Sequence, residues 1–220
     1  MNYFAHYFLD HQPGEHEYNT GLLLPDITRN LVTPFHHPPQ INESWANQFY
    51  SGCLQHYASD KKFHASSLFT YLLDLTKYEV EQVDLSEQVQ RKWFLCHIMA
   101  ELMLDRILVW RFPETLAAFY QSLQSINDAQ LKSYLEAYHL KDTLSFFDFF
   151  NHFRSVQYIF YYTNNNKFVY SLNRIMIKAK VGSMPQNDQE KLEVAGQNLF
   201  NQLNSNAEQL IKQLKELHHA

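Results

Sequence analysis

His56, Asp60 and His64 stand four residues apart in SGCLQHYASDKKFH, and His97, Glu101 and Asp105 repeat that interval in HIMAELMLDRIL. In a helix, at about 100° per residue, each triplet falls within roughly 80° of one face. Imidazoles and carboxylates converging from two packed helices make the ligand set of metal-dependent hydrolases. Spacing alone is a weak signal: with 12 His and 23 Asp or Glu in 220 residues, chance yields about one such triplet. Both triplets nevertheless lie inside apolar runs, where a buried charge needs a partner or a metal. The plainer readings stay open beside this one. His56 with Asp60 is also a surface i, i+4 pair. Asp26 with Arg29 is also a local salt bridge. Glu101 and Asp105 are also partners for Arg106 and Arg111, and His97 is also a core histidine.

The elements that must position these groups read as helices. Residues 1–9 form a short apolar helix or strand around His6. HQPGEHEYNTG is a turn-rich loop, and GLLLPDITRNLV reopens a helix with Pro25 in its first turn. TPFHHPPQ is a loop. Helix resumes near Asn42 and runs through the His56 motif, with Gly52 left open as a point where it could break. Further helices are predicted over Ser66–Lys77, Leu85–Val109, Asn127–Tyr138, Asp142–Tyr162 and Lys167–Lys180. A linker over Val181–Asn187 leads to a long amphipathic helix over Asp188–Leu217, weakened at Gly196 by about 1 kcal/mol. His218 and His219 follow as a tail. Period-2 runs and Asn-Gly or Asp-Gly turns are missing, so the chain reads as all-α, a single-domain helical bundle of about seven to nine helices over 1–220.

Composition narrows the function classes. The formal charge of −5 offers no global attraction to nucleic acid or to an anionic membrane. Cys53 and Cys96 are the only two cysteines, each in an apolar stretch, and read as buried thiols of a reducing compartment. The opening MNYFAHYFLDHQ lacks a basic segment and is interrupted by His6 and Asp10, which argues against a signal peptide. No run approaches 18 apolar residues, so a cytoplasmic protein is expected. Gly-rich phosphate loops, CxxC pairs, HExxH and GxSxG are absent, which sets aside nucleotide kinases, zinc fingers, zincins and the usual serine hydrolases.

MNYFAHYF, GLLLPDITRN, GCLQHYASD and the ELMLDRIL run, in this order, resemble the acyl carrier protein phosphodiesterase family. Its members carry MNFLAH-like, GN-L-L-x-D-x-x-R-like and G-x-x-x-H-x-x-x-D-like segments, then a carboxylate on a D-H-x-L-like helix. The likeness covers residues 1–113. It implies an all-α, HD-like fold and hydrolysis of the phosphodiester that joins 4′-phosphopantetheine to a serine of acyl carrier protein. It nominates His6, Asp26, His56, Asp60 and Asp105 as ligands of Mn²⁺ or Mg²⁺, with Asp60, Arg29 and Glu101 as catalytic groups. Arg29 would hold a phosphate oxygen, and Glu101 would orient a ligand or a water. His64 and His97 rest on spacing alone.

The chain departs from the family pattern at four places. Phe8 replaces a second histidine, Tyr57 and Ala58 replace basic residues, and Arg106 replaces a histidine beside the carboxylate. Loss of basic groups weakens contact with phosphate or an acidic carrier. The alternative reading is therefore a non-catalytic helical binding protein on a degenerate HD-like scaffold.

Overall fold

The computed structural model describes residues 1–219; the expectation for His218 and His219 concerns side chains outside the described set. All regular structure among the described residues is helical, twelve α-helices and one 3-10 helix. This exceeds the seven to nine helices predicted. None of these helices is long and apolar enough to cross a membrane. The chain divides into two compact units, Met1–Lys62 with Phe112–Tyr158, and Phe63–Arg111 with Ile159–Ala220.

The first unit opens with α1 (Tyr3–Asp10), whose buried Asp10 carboxylate accepts hydrogen bonds from Ser59 Oγ and Gln55 Nε2, each at 2.7 Å. A six-residue helix, α2 (His16–Gly21), occupies the stretch read from sequence as a loop. Asn19 closes that loop by bonding both the amide and the carbonyl of Gln12 at 2.8 Å. The helix expected from GLLLPDITRNLV shrinks to one turn, α3 (Leu24–Ile27). Pro25 removes an amide from its start, and Asn30 ends the segment at φ 70°.

Helix α4 (Ser44–His64) runs unbroken through Gly52. Gly52 is instead a crossing point. A Cβ there would lie 2.1 Å from the Tyr18 carbonyl oxygen, and one at Gly21 would lie 2.3 Å from that of Phe49. Only two glycines let α2 and α4 approach this closely. The unit is completed by three further helices, α7 (Pro113–Gln124), α8 (Asp128–Ala137) and α9 (Thr143–Val156). Helix α7 was not anticipated from sequence, although Pro113 and Glu114 are start signals for it. Asn127 caps α8, and Asp142 caps α9 by accepting from Ser145 N at 2.9 Å. Phe146, Phe150 and Phe153 are fully buried, so the aromatic helix is core. It stops at Val156 because Gln157 takes φ 54°, and Tyr158–Thr163 continue as the 3-10 helix.

In the second unit Ser66 caps α5 (Ser67–Glu81), its hydroxyl accepting from Phe69 N at 3.1 Å. Helix α6 (Lys92–Arg111) begins seven residues later than predicted. Asp84 and Arg91 adopt φ 47° and 50°, and Asp188 holds the intervening loop by accepting from the Ser86 amide at 3.0 Å and hydroxyl at 2.6 Å. Asn164 caps α10 (Asn165–Lys178). The long tail helix is two helices, α11 (Gln186–Ser205) and α12 (Ala207–His219), parted at Asn206. Helix α11 packs on α5, α6 and α10, and α12 packs on α5.

Candidate metal centre

Three segments of the first unit carry the centre. The break between α2 and α3 comes first, because it changes where backbone bonds go. In a continuous helix the Leu22 carbonyl would accept from the amide of Asp26. Here the Asp26 amide turns to Leu23 O at 3.1 Å, and Leu22 O takes His56 Nδ1 at 2.8 Å instead. A carbonyl only accepts, so Nδ1 carries the proton and the neutral ring presents the Nε2 lone pair. The Gly21–Gly52 crossing brings these groups into register, since Leu22 follows Gly21 and His56 lies one turn beyond Gly52.

His56 Nε2 faces Asp26 Oδ1 at 3.8 Å. His6, fully buried in α1, stacks on His56 with ring centroids 3.9 Å apart and an interplanar angle of 24°. Ligand atoms of His6, Asp26 and His56 all lie within 4.8 Å of one another. Asp60, one turn after His56, sits with Oδ1 3.7 Å from His6 Nε2 and also pairs with the Met1 amino group. Both imidazole–carboxylate separations exceed a hydrogen bond. They approach the spacing of two ligand atoms that each sit about 2.1 Å from a shared ion, which is roughly 3.0–3.4 Å. The carboxylates beside the two stacked imidazoles supply negative charge of the kind a divalent cation requires. The donor set could hold a metal ion: Asp26 provides a hard oxygen, and His6 and His56 provide nitrogens.

The structure brings together three of the nominated residues, His6, Asp26 and His56, while Asp60 approaches His6 at 3.7 Å and lies outside that group. Arg29 lies exposed just beyond α3, and its side chain makes no hydrogen bond or ion pair among the described residues, so the local salt bridge to Asp26 is not formed. Glu101 and Asp105 lie on α6 in the second unit, and neither belongs to the His6–Asp26–His56 group. Asp105 is fully buried. Arg106 is buried with its guanidinium 4.5 Å from the centre of the Phe200 ring and 5.3 Å from that of Phe168. Burial lowers its pKa to about 10. Tyr57 sets its ring edge-on to His56 at 5.7 Å. Cys53 and Cys96 are buried free thiols; burial pushes both up, Cys96 to about 11, so neither is a nucleophile at neutral pH.

A second group gathers in the second unit. His64, from the last turn of α4, and His97, from α6, both bond Glu101 Oε1 through Nε2, at 2.8 and 3.1 Å. Burial pushes the Glu101 carboxyl up, but nearby positive charge and these two hydrogen bonds outweigh it and hold the group well below the usual carboxylate range. The two groups, His6–Asp26–His56 and His64–His97–Glu101, have no common member. Sequence reasoning missed the Leu22 carbonyl and the glycine crossing. A signal existed: of only five glycines, two sit just before candidate ligands, Gly21 before Asp26 and Gly52 before His56.

Comparison with protein-family models, with curated proteins and with solved structures finds no match to this chain.

Proposed function

We propose that the protein is a metal-dependent phosphodiesterase of the acyl carrier protein phosphodiesterase type, with its centre at His6, Asp26, His56 and Asp60. The observation that carries this reading is the convergence of His6, Asp26 and His56 within 4.8 Å, with the His56 tautomer fixed by the Leu22 carbonyl. A backbone acceptor behind an imidazole is the arrangement that aims its other nitrogen at a cation. A bound Mn²⁺ or Mg²⁺ would supply charge neutralisation at the phosphodiester and acidify water. His56 and His6 orient nitrogen donors, and Asp26 and Asp60 complete the negative site. Arg29, exposed three residues beyond Asp26, meets a phosphate oxygen through its guanidinium fork. The substrate class is a phosphodiester such as that between 4′-phosphopantetheine and acyl carrier protein. The net charge of −5 disfavours an acidic carrier and leaves a smaller phosphodiester as the second choice.

The test is hydrolysis of bis-p-nitrophenyl phosphate and of holo-acyl carrier protein, with Mn²⁺ or with EDTA. Wild type is expected to turn over only with metal, and Asp26→Asn and Asp60→Ala to lose about 100-fold or more. Absence of turnover on both substrates, with no Mn²⁺ bound, would replace this reading with the binding protein on a degenerate HD-like scaffold.

A further inference from the structure

The second histidine group has a built geometry of its own. His97 and Glu101 are i, i+4 neighbours on α6, and His64 comes to them from the end of α4. The two imidazoles stand nearly parallel, 5.2 Å apart at 21°. Phe69 sets its ring against both, 4.7 Å from His64 at 82° and 5.1 Å from His97 at 67°. The aromatic contact holds the rings in place from the apolar side. Water reaches them from the other side, because their side chains are 30% and 31% exposed while that of Glu101 is 11% exposed.

We infer that His64, His97 and Glu101 form a second cation site, sharing no ligand with the proposed hydrolase centre, that binds a late first-row divalent ion such as Zn²⁺. The two Nε2 atoms and the Glu101 carboxylate are its ligands, and water completes the coordination. Two imidazoles with one carboxylate and an open position is a zinc ligand set. The three ligand atoms already lie within 4.8 Å of one another. Around an ion about 2.1 Å from each, tetrahedral ligand atoms stand roughly 3.4 Å apart. The observed 2.8 and 3.1 Å therefore need to open by only a few tenths of an ångström. Both imidazoles bond Glu101 through Nε2. In the neutral form each donates its Nε2 proton there, and binding would move that proton to Nδ1 through solvent and turn the Nε2 lone pair to the ion, whereas a charged ring would release its Nε2 proton to solvent. Two nitrogens favour Zn²⁺ over Mg²⁺ here.

The experiment uses the full chain stripped with EDTA and titrated with Zn²⁺, in wild type and in an Asp26→Asn/His56→Gln background that disables the first group. One equivalent is expected to bind in that background. Adding His97→Gln or His64→Gln is expected to weaken it by more than about 100-fold, since loss of an outer partner alone weakens metal sites about 10–100-fold. Imidazole ¹H–¹⁵N spectra of unmutated protein give a readout that no folding defect can confuse: His64 and His97 should switch from Nε2–H to Nδ1–H tautomers as Zn²⁺ is added. Zn²⁺ affinity unchanged by both histidine variants, or imidazole signals of His64 and His97 that ignore Zn²⁺, would show a hydrogen-bonded cluster and overturn the site. Neither result depends on whether the protein hydrolyses phosphodiesters.

Discussion

The two histidine groups use similar side chains in opposite ways. In the first unit the imidazole–carboxylate distances are 3.7 and 3.8 Å, and the proton of His56 points away from the centre to a backbone carbonyl. In the second unit both imidazole protons point inward and share Glu101 Oε1 at 2.8 and 3.1 Å. One group leaves its nitrogen lone pair facing a carboxylate, an arrangement that a cation completes. The other satisfies itself with hydrogen bonds and must exchange tautomers to accept an ion. The difference lies in what stands behind each ring. A broken helix supplies a free carbonyl behind His56, whereas Phe69 and solvent border His64 and His97.

The largest expected effect comes from filling the glycine crossing. Gly52→Ala places a methyl group 2.1 Å from a backbone oxygen, which no side-chain rotation relieves. Overpacking of this kind costs about 3 kcal/mol or more, and urea denaturation should show it. A fully stable Gly52→Ala protein would mean that the close approach does not position His56. Next in size, Asp26→Asn should remove metal-dependent hydrolysis while moving stability by less than about 0.5 kcal/mol, because the side chain is 34% exposed. Equal loss of both would make Asp26 a structural residue and erase the contrast between the groups.

The smallest effect is an acid dependence confined to the hydrogen-bonded group. Glu101 is held below its unfolded value, about 4.3. A depressed carboxyl contributes stability above the unfolded pKa and loses it as pH falls toward the folded one. Unfolding free energy should therefore decline below about pH 4.3, and Glu101→Gln should decline less over the same range. Parallel acid limbs for the two proteins would show that the imidazoles do not hold the carboxylate charged.

Much of the helical layout was legible because helix periodicity and caps are local. Asn127 and Asp142 cap helices where sequence placed their starts, Asn164 caps α10, which starts two residues ahead of the start expected at Lys167, and Phe146, Phe150 and Phe153 form the core face their spacing implies. The errors have local causes of a different kind. Helix α2 was hidden by its Pro-Gly approach, α7 was missed despite its Pro113–Glu114 start signal, and the ends at Gln157 and Asn206 were hidden by polar residues that also tolerate helix. Leu85 was read into α6 because its apolar period continues, but Asp188, far along the chain, pins that stretch as a loop through Ser86.

For the centres the division runs the same way. Residue types and intervals of four named His56, Asp60, His64, His97 and Glu101 as groups able to face a common point, since helical phase is a property of the chain alone. Which of them meet was decided in three dimensions. His64 parts from His56 and Asp60 to join His97 and Glu101, while His6 and Asp26 arrive on other helices. The direction of the His56 proton depends on a carbonyl thirty-four residues away, freed by a helix break and reached across two glycines. Phase within a helix is local, but helix crossings and donor–acceptor pairing are contacts between distant segments, and those only the folded chain determines.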